Sequence, residues 1–105
     1  MLQKDKLKIG RKVFNNRLMV GTGKYQSPKI MVDSLENSKS EIITVAIRRI
    51  KSIDKNSNLL QHINWSKYWM LPNTAGCKNS EEAIRIAILG RELAKLSGQE
   101  DNNFI

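Results

Sequence analysis

Apolar and polar positions along this chain change their period several times, and each change marks an element. Leu7 to Ile9 and Lys12 to Phe14 are short β-prone pieces joined at Gly10-Arg11, which predicts a small N-terminal hairpin. Arg17 to Val20 reads as a compact apolar strand that stops at Gly21-Thr22-Gly23. Ser27 then offers an N-cap and Pro28 a first helical residue. Ile30, Met31, Val32 and Leu35 line one side of the helix that follows, to about Ser38. Glu41 to Ile50, β-branched and flanked by polar turns, is the clearest strand. Lys51 to Asn58 reads as a loop and Leu59 to Ile63 as a short helical turn. Tyr68 to Leu71 forms a third strand that Pro72 should end, and Asn73 to Lys78 a polar loop.

The last helix has the strongest signature. Asn79 can cap it, with Glu82 three residues on as the reciprocal partner. Glu81 and Glu82 fall in the first turn, where the helix dipole favours anions. Ala83, Ile86, Ala87, Leu89, Leu93 and Leu96 recur at helical spacing. Gly90 interrupts that stripe at a cost of about 1 kcal/mol relative to alanine, which points to a close packing contact. Gly98 stops the helix, and Asn103 to Ile105 are expected to start another strand.

The order is a hairpin followed by β-α-β-α-β-α-β, so the fold class is α/β. Such alternation implies a parallel sheet covered by helices, either doubly wound or a (β/α)8 barrel. In the Glu41–Ile50 strand, Ile43, Val45, Ile47 and Arg49 share one face, while Ile42, Thr44, Ala46 and Arg48 share the other. The bulkier row should face the helices. Arg48 would then stand at the C-terminal mouth, where active sites of such folds are built.

Charge changes this picture little. Of 105 residues, 18 are Lys or Arg and 10 Asp or Glu, for a net charge of +8. Through Lys51 there are 12 basic and 4 acidic residues, and from Ser52 onward 6 of each, so the excess lies in the first half. No run of five like charges makes a basic arm, and a solvated basic surface is preferred over a nucleic-acid footprint. A 40% apolar share excludes a disordered or low-complexity chain. The single cysteine, Cys77, excludes an intramolecular disulfide and a cysteine-based metal cluster. No stretch is long and apolar enough to span a membrane, and Met1 to Lys12 lacks the apolar core of a secretory signal.

Candidate chemistry concentrates in the strand-to-helix turns. Gly21-Thr22-Gly23-Lys24-Tyr25 is a glycine-rich turn that can approach a phosphate, though Gln26 stands where a dinucleotide fingerprint needs glycine. A tight turn explains the same residues. Lys24 is a Schiff-base candidate only if desolvated; a solvated lysine is the plainer reading. Arg48 suits a phosphate or carboxylate, and pairing with a structural acid is the alternative. Asn73 and Thr74 offer hydrogen bonds at the same mouth, or they bond their own turn. Cys77 lacks a nearby base, and His62, the sole histidine, has no second histidine with which to share a metal. Both read as packing or surface residues, as do Trp65, Tyr68 and Trp69.

Several motifs occur together in a recognisable order. They are Gly21-Thr22-Gly23-Lys24-Tyr25, Thr44-Val45-Ala46-Ile47-Arg48-Arg49, Asn64-Trp65-Ser66-Lys67-Tyr68 and Leu71-Pro72-Asn73-Thr74-Ala75-Gly76-Cys77. Glu81-Glu82-Ala83 and Ala87 to Leu93, with Arg91-Glu92-Leu93, follow. Over residues 6 to 105 the chain resembles the N-terminal part of bacterial and plastid thiazole synthases of thiamine biosynthesis. One departure is Arg11, where the family commonly has a second glycine.

The resemblance implies a (β/α)8 TIM barrel, with residues 1–105 as a partial domain: the hairpin, three βα units and the start of a fourth strand. It implies an enzyme, a transferase, that joins 1-deoxy-D-xylulose 5-phosphate, a dehydroglycine imine and sulfur into the thiazole phosphate moiety of thiamine. The sulfur comes from the thiocarboxylate of a small sulfur-carrier protein, and a lysine forms an imine with the sugar ketone. It further implies homo-oligomers, no metal or organic cofactor, and a plastid stroma or bacterial cytoplasm, with no nucleic-acid or membrane partner. The family's imine-forming lysine lies in a fourth-strand segment resembling IKLEV. The sequence stops at Phe104-Ile105, ahead of it, so a truncated member without the catalytic lysine is expected, with Lys24 not taking that role. Arg48, Asn73 and Thr74 are the expected substrate-binding residues. A basic module for phosphate-rich partners, or an inactive barrel fragment with open strand edges, is the alternative.

Overall fold

The computed structural model describes residues 5–23, 25–48 and 62–105. Strands β1 (Leu7–Ile9) and β2 (Lys12–Phe14) pair antiparallel, Leu7 opposite Phe14. Gly10 carries the turn with φ +60, where Arg11 need not leave the ordinary region. Strand β3 is Met19–Val20, helix α1 Pro28–Ser38, strand β4 Ile42–Ala46, strand β5 Trp69–Asn73 and helix α2 Ser80–Leu96. A second sheet runs β3-β4-β5, parallel throughout.

The helix ends follow the chemistry of their caps. The Ser27 side chain accepts from the Ile30 N–H and Pro28 opens α1. Lys39 ends it in the left-handed region at φ 64, a place usually given to glycine. Asn79 accepts from the Glu82 N–H at the start of α2. The reciprocal bond is displaced by one residue: Glu82 accepts from the N–H of Lys78 at 3.1 Å rather than from Asn79. At the far end, Gly98 at φ +94 donates to the Lys95 carbonyl while Gln99 donates to that of Ala94, a Schellman pair.

Register sets the faces. Met70 pairs with Ile43, and Pro72 with Val45. Met31 and Leu35 of α1 pack on Ile43, and Ile86 and Ala94 of α2 pack with Val45 and Met70, so both helices cover the same face. The other face carries Ile42, Thr44 and Ala46 beside Trp69, Leu71 and Asn73. Gly90 makes the close approach its position suggested: a Cβ there would lie 2.8 Å from Pro72 Cβ and 3.3 Å from Ile47 Cγ1.

Five sequence expectations shift. Arg17 to Val20 shortens to Met19–Val20. Of the strand expected over Glu41–Ile50, Ile42–Ala46 is strand, Ile47 and Arg48 are already helical, and Arg49 and Ile50 lie outside the described residues. Its ladder ends with the Ala46–Asn73 pair, so neighbour length overrides β-propensity. Pro72 does not end β5 but sits inside it. The Trp69 N–H donates towards β4, to the Glu41 carbonyl, and that of Met70 points outward, so by alternation position 72 also faces the open edge, where proline is tolerated. Leu96 is 83% exposed rather than part of the stripe, which is centred on Ile86, Gly90 and Ala94. Asn103 to Ile105 form no strand; the Phe104 ring instead packs edge-on against Phe14 and Trp69. The loop expected at Lys51–Asn58 and Leu59 to Gln61 of the expected turn lie outside the described residues.

The N-terminal end of the sheet is tightly tied. The Asn15 N–H and side-chain amide both donate to the Glu41 carboxylate, at 2.6 and 2.8 Å. Gln99 is buried and fully used: it accepts from the Met70 N–H and Asn102 Nδ2, and donates to the carbonyls of Trp65 and Tyr68. Asn102 donates to the Met70 carbonyl and accepts from the Phe104 N–H.

Candidate functional site

The C-terminal ends of β3, β4 and β5 lie side by side because the three strands are parallel, and in α/β sheets ligands bind at that end. Each contributes a turn. After β3, the Thr22 hydroxyl donates to the Thr44 carbonyl at 3.1 Å and the Tyr25 hydroxyl to the Gly21 carbonyl at 3.2 Å. A Cβ at Gly21 would meet Thr44 Oγ1 at an ordinary 3.5 Å. Lys24 lies outside the described residues.

Arg48 follows β4 by two residues. Its Nη1 donates to the Gly76 carbonyl in the turn after β5, and its Nε lies 4.0 Å from Glu82 Oε1 at the start of α2. The φ of +88 favours glycine at position 76, and a Cβ there would stand 2.5 Å from Nη1, the movable tip of Arg48, which would have to shift. The guanidinium therefore ties three segments together while its side chain stays 44% exposed. Pairing with an acid was the alternative reading of Arg48, and that contact is present alongside its place near the strand ends.

Asn73 ends β5 on the face away from the helices, in register with Ala46. Its Oδ1 accepts from the Ala75 N–H at 3.0 Å, and the Thr74 carbonyl from the Cys77 N–H at 3.1 Å, so this segment does shape its own turn. Arg48 and the Asn73–Gly76 segment are thus brought together through the Gly76 carbonyl. Gly76 and Glu82 were not singled out as partners of Arg48. A glycine shortly after a strand, facing an arginine that leaves the neighbouring strand, was the available signal.

His62 lies away from this end and is exposed, while Cys77, in the turn after β5, is half-buried against the α2 cluster. Trp65 packs against both core clusters, and Trp69 lies under Lys12 Nζ, 4.2 Å from the ring centroid. Five basic side chains sit beside carboxylates: Arg17 with Asp5, Lys29 with Asp33, Arg48 with Glu82, Lys67 with Glu36 and Lys95 with Glu92. These contacts favour a solvated basic surface. Among the described residues no group of three His, Cys, Asp or Glu side chains is placed to hold a metal ion, and no helix is long and apolar enough to cross a membrane.

The family model of the thiazole biosynthesis protein ThiG matches residues 8–100. A thiazole synthase of Prochlorococcus marinus strain MIT 9215 is 71% identical over 99 residues, which is 94% of this chain and 38% of that protein. The thiazole synthase of strain MIT 9301 is 72% identical over 97 residues, 92% of this chain and 37% of its own length. That of strain MIT 9515 is 63% identical over 105 residues, all of this chain and 40% of the relative. The chain thus spans well under half the length of these bacterial relatives.

Proposed function

Because the chain belongs to the thiazole biosynthesis protein family, we propose that it forms the first wall of a (β/α)8 barrel that makes the thiazole phosphate moiety of thiamine. The substrates are 1-deoxy-D-xylulose 5-phosphate, dehydroglycine and the thiocarboxylate of a small sulfur-carrier protein. A lysine amine condenses with the sugar ketone, releasing water and forming an imine that serves as electron sink. That amine is none of the lysines in residues 1–105. The working assembly is a homo-oligomer in a bacterial cytoplasm, the compartment that bacterial relatives favour over a plastid stroma, and it needs no resident metal or organic cofactor.

Within this scheme residues 1–105 bind and orient. The observation that carries the reading is the meeting of Arg48 with the Asn73–Gly76 turn at the carboxyl ends of parallel strands. Arg48 has nitrogens beyond the one held by Gly76 and directs them to the sugar phosphate or its neighbouring hydroxyls. Asn73 and Thr74 bond the substrate from the next strand end.

A graft tests this. Residues 1–105 replace the matching segment of the strain MIT 9215 thiazole synthase, and the product is assayed for thiazole phosphate. Borohydride with the sugar phosphate should trap an adduct that peptide mapping finds outside residues 1–105. Arg48→Ala in the graft should raise KM for the sugar phosphate about 10- to 100-fold, the loss expected of one charge-assisted hydrogen bond. An adduct on Lys24, or turnover by residues 1–105 alone, would overturn the assignment of the amine. An unchanged KM would remove Arg48 from the site.

A further inference from the structure

Helix α2 begins with a capping exchange that is shifted by one residue. The Asn79 side chain accepts from the Glu82 N–H at 2.8 Å, as a cap should. Glu82 does not return the bond to Asn79. Its Oε1 reaches past Asn79 and accepts from the Lys78 N–H at 3.1 Å. That step brings the carboxylate one residue nearer the turn after β5, where it lies 4.0 Å from Arg48 Nε.

The carboxylate is held by backbone before it meets its cation. Its side chain is 28% exposed, against 44% for Arg48. Both line one cavity with Ile86 and Leu89, whose apolar surface keeps water from part of the pair. Arg85, three residues along α2, lines the same cavity, yet among the described residues the ion pair of Glu82 is with Arg48. On the other side of the guanidinium, Nη1 donates to the Gly76 carbonyl. A Cβ on Gly76 would lie near Nη1, Cζ and Cδ, so the turn runs along the Cδ side of the group. Nε and Nη1 are thus engaged from two directions, and Nη2 brings two further donors.

We propose that Glu82 is a positioning residue: it steers the Arg48 guanidinium through Nε so that Nη2 faces an oxyanion of the substrate at the strand ends. The inference rests on the proposed role of Arg48 in holding the sugar phosphate, and it assigns the residue that aims it. By charge alone a carboxylate beside an anion site repels the ligand, so its presence there is useful only if it orients the cation. The sign of the change when the charge is removed separates the two effects.

The test uses the same graft, with Arg48→Ala measured alongside. Glu82→Gln keeps an oxygen for the Lys78 N–H and removes the charge. KM for the sugar phosphate should rise about two- to fivefold, the range of a half-exposed ion pair, with kcat unchanged. Glu81→Gln, which removes the neighbouring charge from the same helix end, should leave KM as it is. In an Arg48→Ala background Glu82→Gln should add nothing, since its effect passes through the guanidinium. A fall in KM shows repulsion rather than aim and overturns the proposal. So does a rise that persists without the Arg48 side chain, an equal rise from Glu81→Gln, or a lowered melting temperature with KM unchanged, which marks a cap alone. If Arg48→Ala raises KM and Glu82→Gln does not, Glu82 loses its role and Arg48 keeps its own. If Arg48→Ala itself leaves KM unchanged, both readings fall.

Discussion

The two ends of the parallel sheet are built on different principles. At the N-terminal end, contacts are redundant: Phe14, Phe104 and Trp69 interlock, Glu41 receives two surface bonds from Asn15, and the buried Gln99 alone serves four partners. At the C-terminal end the ties are fewer: Thr22 to Thr44 and Ala75 to Asn73 carry one bond each, and the exposed Arg48 reaches Gly76 and Glu82. One end can lose little without unfolding. The other keeps polar groups near water on backbone that the first end holds still, which is what a binding surface on a rigid scaffold needs.

Urea unfolding of the full chain, followed by the fluorescence of Trp65 and Trp69, should expose the asymmetry. Phe14→Ala removes a 2% exposed ring and should cost about 3–5 kcal/mol. If it costs under 1 kcal/mol, the hairpin is not part of the cooperative unit. Gln99→Leu leaves the Met70 N–H and two buried carbonyls without their partner and should cost about 2–3 kcal/mol. At the other end, Gly76→Ala forces alanine into φ +88 against Arg48 and should cost about 1–2 kcal/mol. A loss there as large as that of Phe14→Ala would erase the contrast. Tyr68→Phe should be the mildest change. Among the described residues the buried hydroxyl has no hydrogen-bond partner, so stability should hold or rise by up to about 1 kcal/mol. A clear loss would mean that the hydroxyl is bonded after all.

What the sequence discloses follows the range of the forces involved. Ser27-Pro28, Asn79 and Gly98 act within one turn of themselves, so both helices have the expected starts and α2 the expected stop. Gly90 was readable as a close contact because glycine is costly inside a helix, though its partner Pro72 was not. Period-two alternation gave the faces of β4, since Ile43 and Val45 do meet the helices. Its length was hidden, because strand length depends on a neighbour 27 residues away, as Ala46 does on Asn73. Gln99 and Asn102 passed unnoticed, as polar residues after a helix look like loop until a strand edge is set beside them. Of the candidate site, the residues themselves were legible. The fastening of Arg48 to Gly76 was not, because both ends of that bond depend on how adjacent strands align.

The treatment of Met70 and Pro72 has a consequence for encounters between molecules. The outer flank of β5 has no backbone hydrogen to give over that stretch: the Met70 hydrogen is held by Gln99, and Pro72 has none. The Met70 oxygen is occupied by Asn102 as well. A stray extended segment drifting alongside finds few free partners there, and a fourth strand completing the barrel must displace Gln99 and Asn102 or pair beyond them.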